Sequence, residues 1–511
     1  MTAVLPRLRR RARHLQPLLW IALACLVEIC IHVSRFHVPT PDHDLDPPFH
    51  TSCQEPDVSA PRENAAIVML ARNKELAQAQ HSVASLERRF NRWFQYPYVF
   101  LNDEPWSDDF ISTIRATTNA STTFELIPQE TWTFPSWMDK EKAQASIKEQ
   151  GDRGVLYAGL TTYHHMCRFF SGAFYQLEAL KKYKYYWRLE PDVDFSCSIT
   201  YDPFVEMAKH KKVYGYTTAL WEEKATCPSL FREVSDWKEA HNVPSSALWK
   251  ASVSPSRLPW PLRGWSNWFA HKDRLGDSWN LCHYWSNFEI ADLDFFRGSS
   301  YQSLFEHLEK SGKFYYERWG DAAVHALAIN MLVEPQKVHH FADFAYRHDW
   351  YYQCPANAPG GQLLESKVLN DAETTWAAEL DGGIGCRCEC DGHTTRNHPN
   401  YCLNKLREPT SPKRPWSTWL LGWVLCSPHA ECGHAMLDYD ALVKRTVEDR
   451  IAGNLPGSTQ STRRKTTISR SNLNNGAEGS QPALLADQSK PRDGLSQRCG
   501  SAVVFCQAAN E

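Results

Sequence analysis

The sequence predicts an α/β protein with a central mixed, mainly parallel sheet. The run "NAAIVMLARN" is continuously apolar, which is typical of a strand that is buried on both faces. The next stretch, "ELAQAQHSVASLERRFNRWF", repeats apolar residues at roughly helical spacing, and "YPYVFLNDEPW" then has the composition of a second strand. A strand, a helix and a strand in this order indicate a βαβ unit, whose two strands are parallel.

A third strand-like stretch, "YYWRLEPDVDF" at residues 185–195, follows the helix-like "YHHMCRFFSGAFYQLEALKKY". It begins with aromatic residues and ends in Glu190, Asp192 and Asp194. These carboxylates either mark the turn where a buried strand reaches the surface, or hold a divalent cation that binds a phosphate-bearing substrate. Ligands of open α/β sheets lie beyond the carboxyl ends of the strands, which favours the cation site. The sequence has neither a P-loop nor a dinucleotide-binding glycine motif.

The N-terminal residues predict a membrane anchor. Residues 1–16 contain five arginines and precede the apolar "PLLWIALACLVEICIHV", after which no small-x-small cleavage site follows. We therefore predict a basic cytosolic tail at 1–16 and an uncleaved transmembrane signal anchor at 17–36, with the rest of the chain in the lumen. Glu28 is costly inside such an anchor. Because the lumen is oxidising, we expect many of the 16 cysteines to form disulfides. In "CRCEC" at 386–390, zinc binding is the alternative.

Composition divides the remaining chain into three parts. Residues 37–62 are rich in proline and lack apolar periodicity, which predicts an extended stem. We place the catalytic domain at 63–410 and a divergent, largely disordered tail at 411–511, where Gly, Ser, Asn and Gln accumulate. The net charge of −3 gives no reason to expect a nucleic acid partner. The 20 Trp and 20 Tyr suit a sugar-binding protein, although aromatic residues are also ordinary core material.

Three further positions are candidates for chemistry. Glu289 in "SNFEIADLDFF" is either the polar face of a half-buried strand or a carboxylate at a reacting sugar carbon. Asp321, at the start of the helix-like "DAAVHALAINML", is by default the helix N-cap, and the same side chain can also accept a proton from an incoming hydroxyl, because the two roles are compatible. His348 lies in the tyrosine-rich "FAYRHDWYYQCP", and an imidazole beside a carboxylate suits Mn²⁺.

Taken together, these stretches resemble the fungal α-1,2-mannosyltransferases of glycosyltransferase family 15. The resemblance runs from about residue 60 to 356 and rests on "ARN", "YPYVFLNDEPW", "YHHMCRFFSG", "YYWRLEPDV", "LCHYWSNFEIADLDFFR" and "FYYERWGDAAVHALAINML". It implies a GT-A-like fold related to the Rossmann fold, GDP-mannose as donor, and Mn²⁺ as cofactor with Mg²⁺ as the alternative. It also implies a mannosylated glycoprotein acceptor and a single-pass type II protein of the Golgi membrane, with its catalytic domain in the lumen.

The resemblance also implies which residues bind the cofactor and the nucleotide. Glu190 of "EPD" and His348 of "YRHDW" match the metal ligands of the family. Asp192 is expected to contribute to the same cofactor site. Arg72 and Asn73, which close the first strand, are expected to contact the nucleotide.

The same resemblance predicts a retaining transfer of mannose to the 2-hydroxyl of a terminal mannoside. Glu289 matches the position proposed as the nucleophile, Tyr163 a tyrosine near the reacting centre, and Asp321 another active-site acid. Glu289 is a nucleophile if the reaction is a double displacement, and an electrostatic stabiliser if attack is from the front face. Two alternative functions are a lumenal glycoside hydrolase acting on mannosides and a non-catalytic, lectin-like module that binds mannose.

Overall fold

The computed structural model describes residues 4–51, 55–349, 351–355, 384–390 and 401–412. Apart from its first two residues, the tail predicted at 411–511 lies outside these ranges, so its predicted disorder stays a prediction.

Within the described residues the secondary structure alternates between strands and helices along most of the chain. The strands are β1 (Ala65–Leu70), β2 (Tyr98–Asn102), β3 (Thr122–Leu126), β4 (Tyr185–Arg188), β5 (Val193–Phe195), β6 (Tyr214–Tyr216), β7 (Ala219–Trp221), β8 (Val253–Ser254), β9 (Ser278–Trp279), β10 (Cys282–Tyr284), β11 (Glu289–Asp292), β12 (Val338–His340), β13 (Tyr346–His348) and β14 (Tyr351–Gln353). The α-helices are α1 (Val4–Ser34), α2 (Leu76–Leu86), α3 (Arg92–Phe94), α4 (Asp108–Thr117), α5 (Lys140–Asp152), α6 (Thr161–Ser171), α7 (Pro203–Lys209), α8 (Leu230–Ala240), α9 (Ala247–Ser252), α10 (Trp260–Arg263), α11 (Leu293–Arg297), α12 (Ser299–Lys310), α13 (Lys313–Tyr316), α14 (Asp321–Leu332) and α15 (Tyr401–Arg407).

The central sheet has the strand order β12-β6-β11-β4-β1-β2-β3. Strand β4 is parallel to β1, β1 to β2 and β2 to β3, as the βαβ pattern predicts. Strand β11 is antiparallel to both of its neighbours, β4 and β6. The predicted mixed, mainly parallel α/β sheet is therefore confirmed.

The two faces of the central sheet are covered by separate apolar clusters. On β4, Tyr186 packs in the cluster that contains the buried residues of α14, and Trp187 packs on the opposite face with α2. Helix α14 is apolar almost all round because it is enclosed by the domain. Burial of this sheet on both faces explains why its strands are continuously apolar instead of alternating.

A small sheet of β14, β13 and β5 lies beyond the end of β4. Disulfides Cys197–Cys388 and Cys354–Cys390 tie the surrounding loops to it. A third disulfide, Cys282–Cys402, joins β10 to α15. The expectation of disulfides is confirmed for these residues, and Cys386 is also disulfide-bonded. The "CRCEC" segment is therefore cross-linked by disulfides, and the zinc alternative is wrong.

The N-terminal helix contains one span, Gln16–Ser34, that is long and apolar enough to cross a membrane. The proline-rich segment after it is irregular, as expected, but part of it packs on the domain. Asp46 is buried and accepts hydrogen bonds from His339 Nδ1 at 2.7 Å and from the His340 backbone N–H at 2.9 Å. The Phe49 ring stacks on His339 with centroids 3.7 Å apart. An extended stem over the whole of 37–62 is therefore wrong, because these two side chains are held by buried partners.

Candidate active site

Arg188, the last residue of β4, is the centre of a buried polar cluster at the end of the sheet. Its Nε donates to Glu190 Oε1 at 2.6 Å and its Nη1 donates to Asp321 Oδ2 at 2.6 Å. The same Nη1 lies 3.9 Å from Glu289 Oε1, and the guanidinium carbon lies 3.7 Å from the centroid of the Phe170 ring. Arg188 therefore brings together three of the predicted site residues, although the sequence analysis did not single it out.

Glu289 faces Arg188 because β11 pairs antiparallel with β4 in a register that sets these two residues opposite each other. The side chain has no exposed surface. Tyr186 donates its hydroxyl to Oε1 at 2.7 Å, and Tyr214 donates to Oε2 at 2.9 Å. The structure thus places Glu289 on an inward-facing, fully buried polar position, with both oxygens held by tyrosines.

His325 of α14 is a third partner of Glu289, with Nδ1 3.2 Å from Oε2. Burial lowers the pKa of His325, but the charge and hydrogen bond of Glu289, together with the Asp321 charge and the hydrogen bond to the Phe170 carbonyl, raise that pKa above its ordinary value. A protonated His325 would be the second positive charge of the cluster. Negative charge still exceeds positive by one, since three carboxylates face one guanidinium and one imidazolium.

Asp321 is the first residue of α14, and its side chain makes no helix cap. Its Oδ2 instead accepts hydrogen bonds from Arg188 and, at 2.8 Å, from Ser286 Oγ. Burial raises the pKa of Asp321, but the charges of Arg188 and His325, together with the hydrogen bonds from Arg188 and Ser286, hold that pKa below its usual value. The capping role predicted from the sequence is therefore wrong, because the side chain is held by the cluster, and a low pKa makes Asp321 a weak proton acceptor.

The two predicted metal ligands lie around the small sheet. Glu190 lies two residues after the end of β4, and His348 on β13 pairs with Val193 on β5, three residues after Glu190. Burial and the Glu190 charge both raise the pKa of Tyr346, which places the Glu190 carboxylate near β13. Among the described residues, no group of three or more His, Cys, Asp or Glu side chains forms a metal site. A cation held here would take its other ligands from diphosphate oxygens and water, as Mg²⁺-type cations at phosphate sites do.

The side chain of Asn287 is placed to orient His348 as a metal ligand. The Asn287 side-chain nitrogen lies 2.7 Å from His348 Nδ1, while the buried Asn287 Oδ1 has no hydrogen-bond partner among the described residues. With the amide turned over, Oδ1 accepts Nδ1–H and Nε2 keeps its lone pair for a metal. The carboxylate and imidazole donors also suit Mn²⁺. The residues present therefore fit a manganese ion.

Asp192 and the two predicted nucleotide contacts lie at the carboxyl edge of the sheet. Asp192 is exposed in the left-handed backbone region, at φ 64°, which aspartate tolerates better than most residues. Arg72 pairs with Glu75 at 2.6 Å. Asn73 donates to the Pro105 carbonyl at 2.9 Å and so links the loops that follow β1 and β2. The contacts of Arg72 and Asn73 are with these loops and do not include the Arg188 cluster.

Tyr163 on α6 lies against a second arginine. The Arg318 guanidinium carbon is 5.4 Å from the centroid of the Tyr163 ring, and Arg318 donates to Glu222 Oε1 at 3.2 Å. Burial raises the pKa of Tyr163 well above its ordinary value, so the phenol stays neutral. Tyr157, which is 41% exposed, stacks beside Tyr163 with centroids 5.0 Å apart. This pair presents an aromatic surface next to the buried cluster, since the Asp321 charge also acts on Tyr163.

Several residues of this site were not predicted from the sequence. They are Tyr186, Arg188, Tyr214, Asn287, Arg318 and His325. One signal was available for Arg188, because an arginine inside an otherwise apolar strand needs a buried acidic partner. The others carry no local signal, since tyrosines and histidines are common in this chain.

The mixed sheet, with an acidic turn after its central strand, defines a GT-A-like glycosyltransferase fold. Residues 40–376 match the family described as glycolipid 2-alpha-mannosyltransferase, glycosyltransferase family 15. The chain belongs to this family, and the resemblance noted from its sequence motifs is confirmed.

Relatives of known name support the same assignment. The chain is 40% identical over 372 residues to the O-glycoside alpha-1,2-mannosyltransferase homolog 4 of Schizosaccharomyces pombe, covering 68% of this chain and 78% of that protein. It is 36% identical over 423 residues to the probable mannosyltransferase KTR7 of Saccharomyces cerevisiae, covering 71% and 80%.

Two solved structures are similar to most of this chain. One is the Mn/GDP form of core-mannan synthase A from Aspergillus fumigatus, with TM-score 0.56, 30% identity, and coverage of 74% of this chain and 91% of that one. The other is the mannosyltransferase Ktr4p from Saccharomyces cerevisiae in complex with GDP, with TM-score 0.53, 32% identity, and coverage of 64% and 81%. Both confirm the predicted GT-A-like fold.

Proposed function

We propose that this protein is a retaining α-1,2-mannosyltransferase that moves mannose from GDP-mannose to the 2-hydroxyl of a terminal mannoside on a glycoprotein glycan. We further propose that the helix Gln16–Ser34 anchors it as a type II protein of the Golgi membrane, with the catalytic domain in the lumen. The observation that carries the activity is the Arg188 cluster, which joins Glu190, Glu289 and Asp321 in a chain of the mannosyltransferase family.

Glu190 and His348 would hold the Mn²⁺ ion, which as a Lewis acid neutralises the diphosphate as it leaves the sugar. Asn287 would fix the His348 ring with Nε2 as the ligating atom. Arg188 holds the Glu190 carboxylate in place through Nε, so the ligand is oriented before substrate binds. The exposed Asp192 in the same turn would contact the cofactor from the solvent side, and Arg72 and Asn73 would border the nucleotide at the edge of β1.

Glu289 is better suited to an electrostatic role than to nucleophilic attack. A nucleophile must reach the sugar, whereas Glu289 has no exposed surface and accepts hydrogen bonds from Tyr186 and Tyr214. Forming a bond to carbon would require an oxygen to leave its tyrosine partner. The excess negative charge of the cluster would instead stabilise the positive charge that develops on the sugar ring. These contacts favour front-face attack, in which a departing phosphate oxygen takes the proton of the acceptor hydroxyl.

Asp321 supports the same interpretation, because its lowered pKa makes it a weak base for the acceptor hydroxyl. It would act by fixing Arg188 between two acids. The lowered pKa also argues against a glycoside hydrolase, whose general acid needs a raised pKa. Tyr157 and Tyr163 would form the platform on which the acceptor mannoside stacks.

The test uses the full chain in detergent with GDP-mannose, Mn²⁺ and mannosides of different length. We expect GDP release that depends on the acceptor, with a product linked α-1,2 as read by NMR. Release of mannose from an oligosaccharide without GDP-mannose would instead identify a hydrolase. Binding of mannose with no GDP release at any acceptor concentration would identify a lectin-like module.

A further inference from the structure

One segment of the domain exposes large apolar side chains that the proposed chemistry does not use. Seven of them lie close together in the chain, and we call residues 256–277 the tryptophan loop. Trp268 is 91% exposed, Trp265 74% and Trp260 72%. The other four exposed apolar residues are Leu258, Leu262, Phe269 and Leu275. So many exposed aromatic and aliphatic side chains in one place indicate a surface that another apolar partner covers.

The loop is held rigidly beneath these side chains. Arg232 of α8 donates to the backbone carbonyls of Asn267 and Asp273, each at 3.2 Å. Within the loop, Asp273 Oδ1 accepts the backbone N–H groups of Leu275 at 2.9 Å and Asp277 at 2.8 Å. The tryptophans are therefore presented outward from a fixed scaffold.

The tryptophan loop also contacts the apolar helix α1. The Trp260 backbone N–H donates to Glu28 Oε2 at 2.9 Å, and Arg263 forms an ion pair with the same carboxylate. One helical turn further, His32 Nε2 lies 2.7 Å from Asp277 Oδ1, and both side chains are buried. Arg263 neutralises Glu28, whose charge is costly inside a membrane anchor.

Because the loop is bound to helix α1, these contacts determine the depth at which it would lie in a bilayer. Glu28 lies six residues before Ser34, the end of the span, which corresponds to about 9 Å along a helix. Side chains of interfacial helices are buried by about 5–10 Å, at the boundary between headgroups and acyl chains. Tryptophan is enriched at this boundary because its ring is apolar and its N–H is polar.

The composition and exposure of the loop favour lipid as its partner over a sugar or a second copy of the chain. Residues 256–277 contain four basic and two acidic side chains, and Arg263 and Arg274 are paired with Glu28 and Asp236, so the loop carries no net negative charge that headgroup phosphates would repel. A sugar-binding tryptophan lies in a concave site, whereas Trp268 is 91% exposed and has no walls around it. A second copy of the chain would have to cover a surface that adjoins the anchor helix, where the bilayer already lies.

We propose that the tryptophan loop inserts into the lumenal leaflet of the membrane beside the anchor and holds the catalytic domain against the bilayer. This inference goes beyond the proposed activity and depends on the anchor, not on the sugar chemistry. Lipid contact would limit rotation of the domain about the anchor and keep one face toward the membrane.

The experiment places the full chain in phosphatidylcholine vesicles brominated at shallow acyl positions and measures quenching of tryptophan fluorescence. We expect the variant Trp265→Ser/Trp268→Ser to lose a large part of the quenchable signal. The control Trp137→Ser removes another exposed tryptophan, 53% accessible, and should lose none of it. Trp20 of the anchor is retained in both variants and reports that insertion is unchanged.

Equal quenching in the wild type and the double variant would overturn the proposal, because the loop would then face water. Quenching that disappears on dilution to one chain per vesicle would also overturn it, in favour of contact between copies. GDP binding by each variant checks its fold, and Trp268→Ser alone, at the most exposed position, replaces the double variant if that variant does not fold.

Discussion

The Arg188 cluster and the buried cluster around Asp46 differ in their charge balance. In the Asp46 cluster, one carboxylate is matched by the Lys212 ammonium and by neutral His339. In the Arg188 cluster, three carboxylates face the Arg188 guanidinium and His325, which leaves one negative charge unmatched even when His325 is protonated. A cluster with matched charges stabilises the fold without a bound ion or ligand. An unbalanced one keeps net negative charge inside the protein at some cost, and such a cost is expected where a cation or a developing positive charge is to be bound.

The strongest test of this comparison removes the shared cation. Arg188→Ala leaves Glu190, Glu289 and Asp321 without their common partner, so we expect a loss of about 3–5 kcal/mol of unfolding free energy and no measurable transfer. Urea unfolding and GDP release measure the two effects. Arg274→Ala, which removes an exposed ion pair with Asp236, is the matched control and should change neither.

A retained activity in Arg188→Ala would show that the cluster is only structural. Arg188→Lys should recover part of the stability but little activity, because an ammonium lacks the planar fork that reaches two carboxylates at once.

The next largest effect concerns the metal. Glu190→Ala should abolish the Mn²⁺-dependent part of GDP binding, measured by calorimetry with and without a chelator. His348→Ala should behave in the same way, because both side chains are proposed ligands. Unchanged Mn²⁺ affinity in Glu190→Ala would remove this residue from the metal site and leave it as a partner of Arg188 alone.

Glu289→Gln tests the electrostatic role with a side chain of the same shape. We expect kcat to fall about 100- to 1,000-fold, the usual effect of removing one charge-stabilising group, while GDP binding survives. Glu306→Gln, on the exposed side of α12, is the control. Wild-type activity in Glu289→Gln would refute a direct role. Detection of a mannosyl–Glu289 adduct by mass spectrometry would favour double displacement over front-face attack.

Asp46→Asn tests the balanced cluster. The charge that pairs with Lys212 and His339 is lost, so we expect the unfolding free energy to fall by about 2 kcal/mol. Activity per folded molecule should not change, since Asp46 contacts no residue of the Arg188 cluster in the hydrogen bonds described. A fall in kcat without a loss of stability would contradict the division between the two clusters.

The last effect is a pH dependence of stability in the Asp46 cluster. Burial, with the charge of Arg407, lowers the pKa of His340 to about 3, although Asp46 and His339 also act on it. The unfolded state therefore binds a proton below about pH 6.5 that the folded state does not bind. The unfolding free energy should therefore fall by about 1.4 kcal/mol for each unit by which the pH drops between about 6.5 and about 3. His340→Gln should flatten the profile in a urea titration between pH 4 and 7, and an unchanged slope would exclude His340 as its origin.

Much of the fold was predictable because its signals are local. Continuous apolar runs mark β1, β2 and β4 as strands buried on both faces, and the helical spacing of apolar residues marks α2 between the first two strands. Six motifs in order were enough to indicate the family. The predictions that failed concerned what a segment touches. The proline content of residues 37–62 excluded a helix but gave no sign that Asp46 would be buried.

The site shows the same limit. Glu190, Glu289, Asp321 and His348 were found as motif residues, one at a time. Arg188 and Asp321 are 133 positions apart in the chain, and Tyr186 and Glu289 are 103 apart. Their contacts depend on the antiparallel register of β11 against β4 and on where α14 begins.

By itself, the sequence determined the α/β class, the apolar N-terminal helix, the family and the kinds of side chain available for chemistry. Each of these depends on residues that are neighbours in the chain or on motifs in a fixed order. Only the tertiary structure decided that Arg188 joins three acids, that Glu289 is fully buried and that the tryptophan loop adjoins helix α1. The physical reason is that packing and strand register, which no short stretch of sequence encodes, set which distant side chains share a low-dielectric interior.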